Sequence, residues 1–326
     1  MEKNELNLML SVVKKYYELG MNQDQIAKEE FISKSSVCRL IKKAVQNGYV
    51  QFQIKYPKES VAALEHELYE QFGLDKVFIT PSYTEDPDIS RRDTCRAVAQ
   101  DLCKIVSSDD IISVTWGNTM DVLAGVMTHE VDTNKSCSKI VMMNGSMAGD
   151  ISSTKSSRIV EQFAEFFDAE GFVLPAPLIV DSKETADLIK NDSHIKYVLD
   201  YARESQIAVF SIGVVGEQSV LRRRGAYSKR EYDIIMENQA VGDIIGHFFN
   251  IEGKRVSGRL DESMIGLDLD SLKEKKVRIG IAVGEEKASA IIGALRGGII
   301  NRLYTDERAA QKIVKLLKEQ GLSKKG

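Results

Sequence analysis

Apolar residues near the start of the chain recur with a helical period, interrupted where the residues favour a stop. Leu6, Met9, Leu10, Val13, Tyr16 and Tyr17 form one stripe, and Gly20 ends it. Asn22 is placed to cap a short second helix carrying Ile26 and Ala27. Phe31-Ile32 make a turn and Ser33 caps a third helix. Its inward stripe is Val37, Leu40, Ile41, Ala44 and Val45. Gly48 stops that helix, and Tyr49 to Lys55 alternates like a β-wing. The pattern predicts a winged helix-turn-helix over residues 1–56. Tyr56-Pro57-Lys58-Glu59 marks the boundary, because a proline disfavours helical backbone at the residue before it.

Beyond the boundary the pattern changes. Ser60 is expected to cap a helix with Val61, Leu64, Leu68 and Phe72 on one face, ended by Gly73. Strand-like apolar runs follow at 77–80, 111–115, 139–143, 207–212, 243–249, 277–283 and 299–304. Between several of them lie helical stretches at 91–106, 120–128, 157–169, 184–201, 285–295 and 306–320. Such alternation predicts an α/β domain over 57–326, a doubly wound and mainly parallel sheet covered on both faces. Ser323 to Gly326 read as a frayed tail. Ligands of such sheets bind beyond the carboxyl ends of the strands, so those loops are the place to look for chemistry.

Composition agrees with two domains of different partners. The 326 residues carry a net charge of −4. Residues 1–58 hold ten Lys/Arg against six Asp/Glu, and the remainder 34 against 42. A basic head on an acidic body fits a DNA-binding module joined to a sensor. The four cysteines (Cys38, Cys95, Cys103, Cys137) form no C-x-x-C pair, which predicts reduced thiols and a cytoplasmic protein. No signal-like start and no run of 18 apolar residues is present, so no membrane partner is expected. His66, His129, His194 and His247 lack metal-ligand spacing, and no G-x-S-x-G elbow occurs. Neither a metal, a cofactor nor a catalytic residue is expected.

The polar face of the third helix carries Lys34, Ser35, Ser36, Arg39, Lys42 and Lys43, with Gln23 at the start of the second. The N-terminal end of a recognition helix meets base edges in the major groove. Arg39 is the candidate for bidentate guanine reading, and Lys42 and Lys43 for phosphate contacts. A solvated helix face is the plain alternative for these charges.

Five loops of the body could meet a ligand. Trp116-Gly117-Asn118-Thr119 joins a strand to a helix and offers N–H and side-chain donors to a phosphate. It is not a Walker A loop. Trp116 could stack on a sugar, although core packing is favoured by its size. Asn144-Gly145-Ser146 and Gly213-Val214-Val215-Gly216 also follow strands, and both could simply be turns. Asp243 could accept sugar hydroxyls or merely cap a turn. Lys287 lies in the first turn of a predicted helix, against the macrodipole, which is unexpected for decoration.

These residues resemble a family. The head, Trp116-Gly117-Asn118-Thr119, Ala240-Val241-Gly242-Asp243 with Phe248-Phe249, and Glu286-Lys287-Ala288 through Leu295-Arg296-Gly297-Gly298 are similar to SorC-type sugar-binding transcriptional regulators. The stretch with Leu295-Arg296-Gly297-Gly298 and Thr305-Asp306-Glu307 is the most specific part. The resemblance implies an effector domain related in fold to ribose-phosphate isomerase and glucosamine-phosphate deaminase. It implies a phosphorylated sugar or sugar alcohol as effector. Gly117, Asn118 and Thr119 would cradle the phosphate, and Asp243 and Lys287 would bind the polyol. Asn118 departs modestly from the family's Gly-Thr-Thr turn. Asn144 stands where one branch has a lysine that forms a Schiff base, and an asparagine cannot form that imine.

The expected function is therefore a regulator, read as a repressor, of a carbohydrate-utilisation operon, binding operator DNA as a dimer or tetramer. The alternative is a sugar-phosphate isomerase or deaminase fused to a DNA-binding head. Against that alternative, Gly213-Val214-Val215-Gly216-Glu217-Gln218 lacks the aspartate-rich arrangement of such enzymes, with Glu217 the only nearby carboxylate. Regulation by linkage requires that the effector prefer one state. A hundredfold change in DNA affinity takes about 2.7 kcal/mol of that preference.

Overall fold

A computed structural model of the chain describes residues 3–50, 60–147, 152–256, 258–319 and 321. The chain divides into two compact units, Met1–Lys55 and Tyr56–Gly326. The expected β-strand of the wing beyond Val50, the boundary at Tyr56 to Glu59 and the tail at Ser323 to Gly326 lie outside the described residues.

The first unit contains three helices, α1 (Lys3–Tyr17), α2 (Gln23–Glu29) and α3 (Lys34–Gln46). Asn22 caps α2 in a reciprocal box with Gln25, and Ser33 caps α3 by accepting the Ser36 N–H. Met9, Val12, Val13, Ile26, Val37, Leu40, Ile41 and Ala44 form the core. Three residues expected to face inward do not: Leu10, Tyr17 and Val45 are exposed. The buried row on α1 is Met9, Val12, Val13, with Tyr16 beside it, and Leu10 and Tyr17 lie one step around the helix from it.

The second unit opens with α4 (Ala62–Phe72), β1 (Lys76–Thr80), α5 (Pro87–Ile105), β2 (Ile111–Val114), α6 (Asn118–Glu130) and β3 (Lys139–Met142). It continues with α7 (Ser152–Phe166), β4 (Glu170–Phe172), α8 (Lys183–Asn191), α9 (Ser193–Glu204), β5 (Ile207–Ser211) and β6 (Gly213–Val214). Next come α10 (Val220–Arg223), α11 (Lys229–Glu237), β7 (Ala240–Ile244), β8 (His247–Asn250), α12 (Arg259–Glu262) and α13 (Leu269–Lys273). Last are β9 (Val277–Ile281), a 3-10 turn at Glu285–Lys287, α14 (Ala288–Arg296), β10 (Arg302–Asp306) and α15 (Glu307–Glu319).

Seven strands form one parallel sheet in the order β1-β10-β9-β5-β2-β3-β4. Its central strands are buried on both faces, which is why they read as continuous apolar runs. Side chains alternate between two cores. Val209 joins Ile112, Leu123 and Ile140, whereas Ala208 and Phe210 join Ile291, Leu303 and Ile313. From β2 the chain winds outward through β3 to β4, then returns to β5 and winds the other way to β9. The order reverses between β2 and β5, and their carboxyl ends flank the crevice that such a reversal opens.

Several expectations are corrected. The run 243–249 is a hairpin of β7 and β8, turning at Ile245 and Gly246, whose φ values are 60° and 92°. Positive φ at both central residues suits the twist of a tight hairpin. The stretch 184–201 is two helices, because Asp192 leaves helical backbone and caps α9 by accepting from His194 and Ile195. Ser60 is not the cap of α4; Val61 stands there with no side-chain cap bond. Short elements β4, β6 and α10 to α13 had no predicted counterpart.

Candidate effector site and nucleic-acid interface

A cavity of about 220 Å³ opens at the reversal between β2 and β5. Its floor comes from the residues that follow β2, β5 and β9, and β7 closes one side. Of the residues singled out in the sequence, Gly117, Asn118, Thr119, Asn144, Gly213, Asp243 and Lys287 all line it. Gly145 and Ser146 do not. Their N–H groups donate to Ile265 and Ala176, and the Gly145 carbonyl accepts the Trp116 indole N–H at 2.8 Å. Trp116 also lines the cavity while packing on the core.

Local geometry explains these positions. Gly117 has φ 139°, a conformation that L side chains rarely adopt, and it starts α6 with no side-chain cap. The first-turn N–H groups of α6 are therefore left for another partner, at the positive end of the helix dipole. Thr115 and Asn144 are buried, and the Thr115 Oγ1 and Asn144 Oδ1 atoms have no hydrogen-bond partner among the described residues. A buried polar atom left unsatisfied costs about 1–3 kcal/mol, and Thr115 and Asn144 both line the cavity.

Asp243 and Lys287 are two of the charged residues of the site. Burial raises the Asp243 carboxyl to about 6, against the opposing pull of Lys287, the Gly246 N–H and His247. Burial lowers Lys287, against the attraction of Asp243 and Glu286. The Lys287 ammonium donates to the Ile212 carbonyl at 2.8 Å. Gly213 makes room for the carboxylate, since a Cβ there would come within 1.9 Å of Asp243 Oδ1. Ile245, a β-branched residue at φ 60°, places local strain at the cavity wall.

Sequence reasoning missed Arg91, Gln218 and Arg223, which also line the cavity. The rule that ligands sit beyond strand ends could have found Arg91, which lies in the second turn of the helix after β1. Nothing in the pattern announced Arg223, which arrives on the short α10. Glu217 is exposed and is not part of the cavity lining.

In the first unit, the outward face of α3 presents Ser35, Cys38, Arg39, Lys42, Lys43 and Gln46 along a shallow groove. Lys34 pairs with Asp24 at 2.8 Å and Lys43 with Glu5 at 2.6 Å. The Ser35 and Ser36 hydroxyls both lie against the Ser33 cap. Gln23 opens α2 and is half-buried. Arg39 is exposed, and no hydrogen bond or ion pair engages its side chain among the described residues.

A three-helix head with a cationic third helix, and a parallel sheet with a polar cavity at its reversal, define a DNA-binding regulator with a ligand-binding domain. Residues 56–315 match Sugar-bind, a sugar-binding domain family. The chain is 31% identical over 314 residues to the deoxyribonucleoside regulator of Bacillus subtilis (strain 168), covering 96% of this chain and 99% of that one. It is 27% identical over 316 residues to the sorbitol operon regulator of Klebsiella pneumoniae, covering 96% and 99%. The crystal structure of full-length SorC, the sorbitol operon regulator from Klebsiella pneumoniae, superposes with a TM-score of 0.74 at 25% identity, covering 95% of this chain and 98% of that one. The chain belongs to the SorC-type sugar-binding transcriptional regulators, and it is a DNA-binding regulator of sugar-related operons. Among the described residues no helix is long and apolar enough to cross a membrane.

Proposed function

We propose that the chain is a repressor controlled by a phosphorylated sugar or sugar alcohol bound in the cavity between β2 and β5. The observation that carries this reading is the pair of buried oxygens, Thr115 Oγ1 and Asn144 Oδ1, that have no hydrogen-bond partner among the described residues, beside the start of α6 that no side chain caps. A polyol supplies hydroxyl donors for the first, and a phosphate accepts the N–H groups of the second. Gly117, Asn118 and Thr119 cradle the phosphate. Asn144, Asp243 and Lys287 read the hydroxyls, and Gly213 positions Asp243. In the head, Gln23, Lys34, Ser35, Ser36, Arg39, Lys42 and Lys43 meet operator DNA. The head is residues 1–56 and the effector domain 57–326. The protein acts without turnover, in the cytoplasm where its operator is, and as a dimer or tetramer, because one head reads too little DNA for a selective site.

A thermal-shift screen of pentose, hexose, pentitol and hexitol phosphates tests the reading, since a ligand of the folded state raises its melting temperature by mass action. The expected result is stabilisation by one phosphorylated compound, with no product formed on long incubation. Multiple turnovers per site would overturn it in favour of an isomerase or deaminase. A second test leaves Asp243 in place. Gly213→Ala puts a methyl where the carboxylate lies, and is expected to weaken that ligand at least about tenfold, the loss of one charged hydrogen bond. DNA binding without ligand should persist. Unchanged ligand affinity by calorimetry would remove Asp243 from the site.

A further inference from the structure

The phosphate seat at the start of α6 needs a cation, and the loop that forms it supplies none. Gly117, Asn118 and Thr119 contribute dipoles only. Lys287 is engaged with the Ile212 carbonyl and faces Asp243. Two further cations line the cavity, Arg223 on α10 and Arg91 on α5, and of the two it is α5 that is tied by a hydrogen bond to the first turn of α6.

Two residues on one face of α5 locate it. The Cys95 thiol donates to the carbonyl of Thr119, in the first turn of α6, at 3.6 Å. Arg91 precedes Cys95 by four residues and so lies one turn along the same face. It lines the cavity together with Asn118, Thr119, Glu286 and Lys287. Its charge reaches both neighbours, opposing the Lys287 ammonium and favouring the Cys95 thiolate. Two cations across one cavity repel, and an anion between them relieves the repulsion.

Packing gives Arg91 no other evident task. The ion-pair partner described for it is Asp88, three residues back, whose side chain is 78% exposed. Such exposed pairs within a helix contribute little. A guanidinium half-sheltered at the wall of a polar cavity that Asn118 and Thr119 also line has the two-point donor geometry that a phosphate accepts.

We propose that Arg91 grips the phosphate of the effector against the first turn of α6, and so sets the preference for a phosphorylated sugar over its neutral parent. This rests on the effector reading above. The test uses the full chain and calorimetric titration with ribose 5-phosphate, sorbitol 6-phosphate, ribose, sorbitol and inorganic phosphate. Wild type is expected to favour at least one phosphorylated compound over its parent. Arg91→Gln should shrink that ratio by about 10- to 100-fold while leaving the parent's affinity and the unliganded melting temperature unchanged. Arg91→Lys should restore part of the ratio, because it returns the charge without the fork. Asp88→Asn should leave the ratio intact. An unchanged ratio in Arg91→Gln, or equal weakening of both forms, overturns the role of Arg91 alone. A wild type with no preference for any phosphorylated form overturns the effector reading, and the role of Arg91 with it.

Discussion

Replacing Asp243 with Asn is expected to abolish the response to effector and, in the same protein, to raise thermal stability at neutral pH. The two effects share one cause. The carboxyl is held at about 6 by burial, well above its ordinary value of 3.8. A folded-state value above the unfolded one means that ionisation opposes folding. The favourable contribution is complete below the unfolded value and is lost as pH rises through about 6. The shift of roughly two units corresponds to about 3 kcal/mol, reached above pH 6. Asn removes the titration, but it also takes the counter-charge from Lys287, so the net gain is smaller. The gap in melting temperature between variant and wild type should therefore widen from pH 5 to pH 7. A gap that does not change with pH would show that ionised Asp243 is not the destabilising group. On the functional side, the variant should bind operator DNA as wild type does and stay bound at effector concentrations that release wild type. Release at the wild-type concentration would refute the site.

Burial and backbone conformation decide which parts of the molecule could be read from the chain. The central strands were legible because a strand buried on both faces leaves an unbroken apolar run, as Ile111–Val114 and Ile207–Ser211 do. The β7–β8 hairpin was not. Its turn is Ile245-Gly246, and an isoleucine at positive φ is apolar where a turn residue is expected to be polar or small. Strain at the cavity wall thus disguised a turn as a strand. Cavity residues were legible where they stand between a strand and the next helix or in its first turn, as Gly117, Asn118, Thr119 and Lys287 do. Arg91 and Arg223 reach the cavity through the packing of α5 and the placement of α10, which are long-range facts with no local pattern. Gly145 and Ser146 stand after a strand but are drawn into backbone pairing with Ile265 and Ala176. Position after a strand locates a loop near the crevice, and only the competition for its backbone groups decides whether it faces in.

In the head, Arg39→Ala is expected to remove selectivity for the operator while leaving DNA binding that weakens steeply with salt. The ion pairs of the head decide which residue should behave this way. Lys34 and Lys43 already have carboxylate partners in Asp24 and Glu5, so each must exchange one anion for another on meeting a phosphate. Among the described residues Arg39 has no carboxylate at ion-pair distance, although Glu5 feels its charge, and it stands exposed on the face of α3. A guanidinium there can dock bidentate on guanine without breaking an ion pair among the described residues, and each such pair contributes about 1–3 kcal/mol of discrimination. In a symmetric assembly that loss recurs in every half-site. Lys42→Ala should instead weaken all sequences alike and reduce the slope of affinity against salt, as the loss of a phosphate contact does. The measurement is fluorescence anisotropy with an operator selected by the wild-type chain from random DNA, set against a scrambled duplex at several salt concentrations. Because Arg39 lies outside the buried core of the head, the variant should melt with wild type. An operator-to-scrambled ratio that survives the substitution would move base reading away from Arg39, to Ser35 and Ser36 at the start of α3.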